Sequence, residues 1–270
     1  MRSDFHLVLP GERAGAPLLA CRLLSEGSGG EVWRVSTTRG HWVFKRRKHR
    51  DFAVDLKRML ALQNLAADSS VAPRLVSVDP SSGTELGEFA TGRSVTPNEF
   101  ARPEFLLRVA GRMSVLHGLP LPAAWSVQAN WYFDVSAHLS ARCRAVNNSA
   151  LSSRLRDLPH LLAASGAGTR ANAVLHLDIH AANLRVGTDL ILLDWEYAAL
   201  GDPIWDLASL TATLTLDDSY CGALLAAAGR SHDTSVAQLL AARELFQWLN
   251  ELWQLSHGPD VVCAGSLPAI

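Results

Sequence analysis

A short polar loop and the apolar hairpin that follows it constrain the fold of this chain most. His176, Asp178 and Asn183 lie within one stretch of eight residues, and the apolar run 190–193 then ends at Asp194. The turn residues between the segments LRV and LILLD predict that these two short strands pair with each other. Asp194 is therefore expected at a strand end close to the loop.

These side chains suit phosphoryl transfer from ATP. One carboxylate must accept a hydrogen bond from the attacking hydroxyl group, and oxygen ligands must hold Mg2+ against the phosphates. Asp178 is the candidate catalytic base, and Asn183 and Asp194 are the candidate magnesium ligands. We expect His176 to orient the loop through a backbone hydrogen bond. A zinc site at His176 and His180 is the alternative, but the helical HExxH context is missing and no third ligand stands out.

The pattern of the remaining sequence predicts two lobes. Residues 23–46 hold two apolar runs separated by glycine-rich turns, which is typical of an antiparallel hairpin, and RLVSVD and TELGEFA predict two more strands. Helices are predicted over about 52–67, 103–116, 135–146, 151–164, 206–214 and 235–257. The predicted fold class is α+β. A small antiparallel-sheet lobe is expected over residues 1–90 and a larger helical lobe over 91–270, with a ligand cleft between them.

Composition limits the class of protein. The chain has 270 residues, of which 48% are hydrophobic and 19% charged, and this favours a globular fold over disorder. Its net charge of −1 argues against a nucleic-acid partner, and the basic run 45–50 is typical of a solvated strand end. Four scattered cysteines without a CxxC pair favour free thiols. With neither a signal peptide nor a long apolar run evident, the expectation is a cytoplasmic protein without a membrane partner. The oligomeric state is not indicated.

The loop and hairpin resemble the catalytic loop and metal-binding aspartate of the protein kinases. The sequence reads DWE instead of DFG and lacks an APE segment, and ILLDWEYAALGDPIWDLASL is similar to the aminoglycoside phosphotransferase, choline kinase and thiamine kinase superfamily. The resemblance covers roughly residues 20–210. It implies a protein-kinase-like fold and transfer of phosphate from ATP or GTP, with Mg2+, to a hydroxyl group of a small molecule. In this pattern Asp206 ties the loop down.

The same resemblance implies a nucleotide site between the lobes. LLSEGSGGEVWRV resembles the glycine-rich loop, in which glycines let backbone N–H groups approach phosphate. The implied nucleotide contacts are Gly27, Gly29, Gly30, Lys45, Glu88 and Ala90. The family pairs the strand lysine with a glutamate of the first helix, but no glutamate lies between Asp51 and Ala67. Asp55 is a possible substitute.

The acceptor is less well defined by the sequence. Glu196, Tyr197, Trp248 and Trp253 are candidate substrate contacts, because aromatic faces and carboxylates attract cations. A cationic alcohol such as thiamine or choline is the first hypothesis. An acidic pocket would equally suit an aminoglycoside, and aromatic residues at helical spacing are also typical of a core. A nucleotide-binding pseudokinase is the alternative from another class, since the missing helix glutamate would fit it.

Overall fold

The first part of the chain forms an antiparallel sheet. The computed structural model describes residues 16–27, 30–47, 55–125, 128–146, 153–167, 173–212, 214 and 218–257. The strands are β1 (Leu18–Gly27), β2 (Gly30–Thr37), β3 (Gly40–Arg47), β4 (Leu75–Asp79) and β5 (Thr84–Glu88). They lie in the order β1-β2-β3-β5-β4, with all neighbours antiparallel. The predicted strands of this region are confirmed.

Helix α1 (Leu56–Asp68) connects β3 to β4 in the chain. It begins directly after Asp55, whose carboxylate accepts the backbone N–H groups of Lys57 and Arg58 at 3.0 Å each. This cap sets the start of the helix. Residues 52–54, where the sequence places the first turn, lie outside the described part. Met59 and Leu62 of α1 belong to the main core of the protein and not to the small apolar cluster of the sheet.

The rest of the described chain is mostly helical. The helices are α2 (Pro97–Phe100), α3 (Pro103–His117), α4 (Val135–Val146), α5 (Leu158–Ser165), α6 (Ile204–Ala212), α7 (Asp218–Ala227) and α8 (Val236–His257). Strands β6 (Arg93–Ser94), β8 (Leu184–Val186) and β9 (Leu190–Leu192) form one small sheet, and β7 (Ala173–Leu175) pairs with β10 (Ala199–Gly201). The predicted hairpin is confirmed, since Val186 pairs with Leu190 across the turn.

One helix is shorter than its prediction. The sequence predicts one helix over 151–164, but in the structure the helical residues 153–154 are separated by a turn at 155–157 from α5, which begins at Leu158. Pro159 lies in its first turn, where the missing N–H of proline needs no partner. Further along a helix the same ring would clash with the preceding turn, so the proline sets the start of α5.

The main core lies beneath the polar loop. Trp195 is 1% exposed, its indole N–H donates to the carbonyl of Leu192 at 3.0 Å, and its ring meets that of His176 edge-on. The tryptophan of the DWE segment therefore anchors the region between β9 and the loop. Among the described residues Cys21, Cys143 and Cys221 form no disulfide bond, and Cys263 lies outside them. None of the helices described has both the length and the apolar character needed to cross a bilayer.

Candidate active site

The polar loop between β7 and β8 is fixed from below by Asp206 of α6. This carboxylate is fully buried and accepts the backbone N–H groups of His176 at 3.0 Å and of Leu177 at 2.7 Å. Its other oxygen lies 2.9 Å from Nε2 of His117. Leu177 has a φ of +64°, a left-handed conformation that costs free energy for a branched side chain. The bonds to Asp206 offset that cost.

His176 uses both ring nitrogens on the backbone. Nε2 lies 2.8 Å from the carbonyl of Leu193, and Nδ1 lies 3.3 Å from the backbone N–H of Asp178. A ring with Nε2 protonated satisfies both contacts. The ring therefore connects the loop to the segment after β9, which is the kind of orienting role that we expect of it. With both nitrogens engaged, His176 is a poor zinc ligand, and no cluster of three metal-binding side chains occurs within the described ranges.

Asp178 and Asn183 are held together in the loop. The Asn183 side-chain Nδ2 donates to Oδ2 of Asp178 at 2.8 Å and to its carbonyl at 3.0 Å. His180 approaches the same carboxylate at 3.4 Å from Nε2 to Oδ1. Burial would lower the pKa of His180, but the hydrogen bond and charge of Asp178, together with Asp194, raise it above its ordinary value. Asp178 is thus oriented, and its side chain remains partly exposed to a substrate.

Asp194 lies at the end of the hairpin, opposite Lys45 of β3. The Lys45 Nζ is 2.7 Å from Asp194 Oδ1. Asp194 has a φ of +60°, so this residue also adopts the left-handed conformation. Burial would raise the pKa of Asp194, but the charge of Lys45 and its hydrogen bond hold that pKa below its ordinary value. The predicted lysine and the predicted metal ligand are therefore brought together across the two lobes.

Glu196 is the second acidic partner of Lys45. The distance from Lys45 Nζ to Glu196 Oε2 is 3.5 Å, and Arg47 Nη1 donates to the same oxygen at 2.6 Å. Asp55 does not substitute for the missing helix glutamate, because its carboxylate caps α1. That suggestion from the sequence is corrected. Burial would lower the pKa of Lys45, but Asp194, Glu196 and Glu85 raise it above its ordinary value.

Asn183 and Asp194 fit a magnesium site. Because Asn183 turns its Nδ2 toward Asp178, its Oδ1 is directed elsewhere, and within the described chain no hydrogen bond to that oxygen is seen. Asp194 bonds Lys45 through Oδ1, which leaves Oδ2. One amide oxygen and one carboxylate oxygen, completed by phosphate and water, form a ligand set that Mg2+ accepts.

The remaining nucleotide candidates lie along the sheet. Gly27 and Gly30 face each other at the β1–β2 hairpin, and Gly29 lies outside the described residues. Gly30 has a φ of +143°, and a Cβ there would lie 2.2 Å from the Arg46 carbonyl, so only glycine fits. Glu88 ends β5, and its backbone N–H donates to the Arg74 carbonyl at 2.8 Å.

Ala90 follows β5 on the segment that leads into the helical part of the chain. The sequence predicts that adenine contacts the backbone of this segment between Glu88 and Ala90. The nucleotide contacts of this hinge and of the glycine-rich loop stay predictions.

The four substrate candidates are not equivalent. Glu196 is turned toward Lys45 and Arg47, and Trp248 is 1% exposed within the core, with the guanidinium of Arg154 over its ring. Tyr197 and Trp253 are linked, since the indole of Trp253 hydrogen-bonds the Tyr197 hydroxyl. Burial, followed by the charges of Glu196 and Asp178, raises the pKa of Tyr197 above its ordinary value. Contact of Tyr197 and Trp253 with a substrate stays a prediction.

Sequence reasoning missed two residues of this region, Arg47 and Glu85. Arg47 Nε and Nη2 donate to Glu85 Oε1 at 2.9 and 2.6 Å. The alternation of β3 was the available signal, because Lys45 and Arg47 are two apart and share a face. This signal was overlooked because Arg47 lies within the basic run 45–50, and such runs are usually solvated.

The family comparison covers most of the chain. The model of the phosphotransferase enzyme family matches residues 20–246. A comparison with curated protein sequences finds no significant match.

Solved structures share the fold at low sequence identity. A choline kinase of Streptococcus pneumoniae superposes with a TM-score of 0.71 at 17% identity, over 91% of this chain and 88% of that chain. An ethanolamine kinase of Plasmodium vivax gives 0.70 at 14% identity, over 90% and 78%. An ADP-bound aminoglycoside phosphotransferase gives 0.59 at 16% identity, over 88% and 93%.

These likenesses confirm the predicted protein-kinase-like α+β fold. Because the family match extends over most of the sequence, this chain belongs to the phosphotransferase enzyme family and is a small-molecule kinase with a hydroxyl group as acceptor.

Proposed function

We propose that this kinase transfers the γ-phosphoryl group of ATP to the hydroxyl group of a small cationic metabolite of the choline or thiamine type. The observation that supports this most is the pairing of Asp178 with Asn183 at 2.8 Å. This hydrogen bond orients the partly exposed carboxylate of Asp178 within the polar loop. The loop is in turn bonded through the His176 ring to the backbone of Leu193, next to Asp194. In this proposal the base and the metal ligand would be fixed relative to each other before any substrate binds.

In this proposal Asp178 accepts the hydrogen bond of the acceptor hydroxyl and orients it for in-line attack. Because the transition state of phosphoryl transfer is loose, the carboxylate acts more by orientation than by early removal of the proton. Lys45 stays protonated at neutral pH, since its pKa is raised, and its ammonium group would bind the phosphates. Asn183 and Asp194 would hold Mg2+, which neutralises developing charge on the phosphates when it is bound.

The surroundings of Asp178 favour a cationic acceptor. Tyr197 and Trp253 are in contact, and the charges of Asp178 and Glu196 act on the Tyr197 hydroxyl. Aromatic faces beside a carboxylate attract a quaternary or protonated amine. Because Arg47 bonds Glu196 at 2.6 Å, that carboxylate is largely compensated. A singly charged alcohol therefore fits better than an aminoglycoside, whose several ammonium groups need several unpaired carboxylates.

A coupled assay of ADP release tests the proposal. Choline, thiamine, ethanolamine and several aminoglycosides are offered with Mg-ATP and with Mg-GTP, and Asp178→Asn serves as the matched control. Turnover of one cationic alcohol that is lost in the control supports the proposal. Turnover of an aminoglycoside alone moves the assignment to the antibiotic-modifying class. Tight binding of Mg-ATP without turnover of any acceptor favours a pseudokinase.

A further inference from the structure

Two cations on one face of β3 meet three carboxylates, one from β5 and two from the helical lobe. Lys45 and Arg47 are two residues apart on this strand and so point to the same side. Glu85 of β5 is directly opposite Lys45 in the ladder, which makes it the diagonal neighbour of Arg47. The helical lobe contributes Asp194 and Glu196. All five side chains lie where the two lobes meet.

Arg47 occupies the centre of this group. Its side chain is only 8% exposed, and it bonds one carboxylate from each lobe, Glu85 at 2.6 Å and Glu196 at 2.6 Å. Its guanidinium also lies 4.0 Å from the sulfur of Met59 on α1. Burial would lower the pKa of Arg47, but Glu85 and Glu196 raise it, so the charge is permanent.

Of the two cations near Glu196, Arg47 makes the shorter contact. Arg47 Nη1 lies 2.6 Å from Oε2, whereas Lys45 Nζ lies 3.5 Å from the same atom. Glu196 is therefore satisfied mainly by Arg47, and the short contact of Lys45 is the one to Asp194, at 2.7 Å. Without Arg47, Lys45 would be the nearest cation for both Glu196 and Glu85.

We infer that Arg47 is a positioning residue for nucleotide binding: by neutralising Glu85 and Glu196, it keeps Lys45 available for the phosphates. This inference rests on the proposed function. A carboxylate pair left without Arg47 would compete with the phosphates for Lys45. The arginine also joins the sheet to the helical lobe through one side chain.

Binding of a non-hydrolysable ATP analogue with Mg2+, measured by calorimetry, tests this inference without an acceptor. Arg47→Met keeps the bulk of the stem and removes the charge. We expect it to weaken binding about tenfold or more, because it leaves the buried Glu85 and the half-buried Glu196 without their main cation. Arg47→Lys retains a charge but cannot fork between two carboxylates, so its affinity should lie in between. Arg46→Met is the matched control, because Arg46 lies on the opposite face, is exposed and pairs with Glu31.

A double variant separates positioning from simple stabilisation. Arg47→Met with Glu85→Gln removes one uncompensated carboxylate and should recover most of the lost thermal stability. Glu196 then has Lys45 as its nearest cation and competes with the phosphates for it, so nucleotide affinity should stay low. Recovery of affinity together with stability would overturn the inference, and so would a folded Arg47→Met protein with unchanged affinity. If the wild-type protein itself binds no nucleotide, both this inference and the proposed function are overturned.

Discussion

Asp206 offers a sharp test of how the polar loop is held. Replacing it with alanine removes a carboxylate that is fully buried and accepts hydrogen bonds from the backbone of His176 and Leu177 and from the His117 ring. Each hydrogen bond to a charged group contributes about 1.5–3 kcal/mol, and breaking a buried charged cluster costs about 3–5 kcal/mol. We therefore expect Asp206→Ala to destabilise the protein by about 4 kcal/mol. The unpaired donors cannot reach water, so relaxation should recover little of this.

The asparagine variant refines the same test. Asp206→Asn keeps one oxygen for the N–H groups of His176 and Leu177, and its amide N–H2 faces Nε2 of His117. That nitrogen can accept only if the His117 proton moves to Nδ1, which is buried and has no hydrogen-bond partner among the described residues. Asp206→Asn should therefore destabilise by about 1–2 kcal/mol, clearly less than alanine.

Thermal unfolding followed by circular dichroism measures both effects. About 4 kcal/mol corresponds to a fall in Tm of about 10 °C for a chain of this size. Asp68→Ala is the matched control, because Asp68 is exposed and, among the described residues, is paired with Arg74 alone, so its Tm should stay within about 2 °C. A Tm of Asp206→Ala equal to that of the control would refute the argument. Equal damage from asparagine and alanine would show that the backbone hydrogen bonds are not the cause.

Three further outcomes are expected. Asp178→Asn should keep Mg-ATP binding but lower kcat by about a hundredfold or more, and wild-type turnover in that variant would contradict its role as base. Asp194→Ala should weaken nucleotide binding in the presence of Mg2+ far more than in its absence. If calorimetry shows the same loss of affinity with and without Mg2+, Asp194 is not a magnesium ligand. Because Lys45 depresses the pKa of Asp194, this carboxylate stabilises the fold above pH about 4, and that contribution is lost as the pH falls through the lower folded-state pKa. The Tm of the wild type should thus fall more steeply between about pH 5 and pH 3 than that of Lys45→Met, and parallel curves would refute the coupling.

The conformation of the polar loop was predictable because the residues that fix it are close together in the sequence. Asp178 and Asn183 are five residues apart, and the hydrogen bond between them closes within one short turn. The position of Asp194 near this loop was predictable from the hairpin, because its apolar strands and polar turn are contiguous in the sequence. Helices such as α3 were equally clear, since its buried residues recur at helical spacing.

The surroundings of Lys45 were not predictable in the same way. β3 pairs with β5 and not with β4, the next strand in the chain, and only this order brings Glu85 opposite Lys45. No spacing in the sequence indicates which strand lies beside β3. The burial of Trp248 has the same origin. The helical spacing of Phe246, Trp248 and Trp253 is compatible with either a core or a pocket. Packing of the neighbouring helices determines that Trp248 lies in the core.

The position of the lysine partner changes which motion can control this kinase. In protein kinases the lysine is paired by a glutamate on a helix, and movement of that helix is a means of regulation. Here α1 presents Met59 and Leu62 to the main core and offers no carboxylate to Lys45 within its described length. The carboxylates come instead from residues 194–196, and Arg47 of β3 also bonds this segment. Readiness for phosphoryl transfer should therefore depend on the approach of β3 to residues 194–196, and a shift of α1 alone should leave the Lys45 contacts intact.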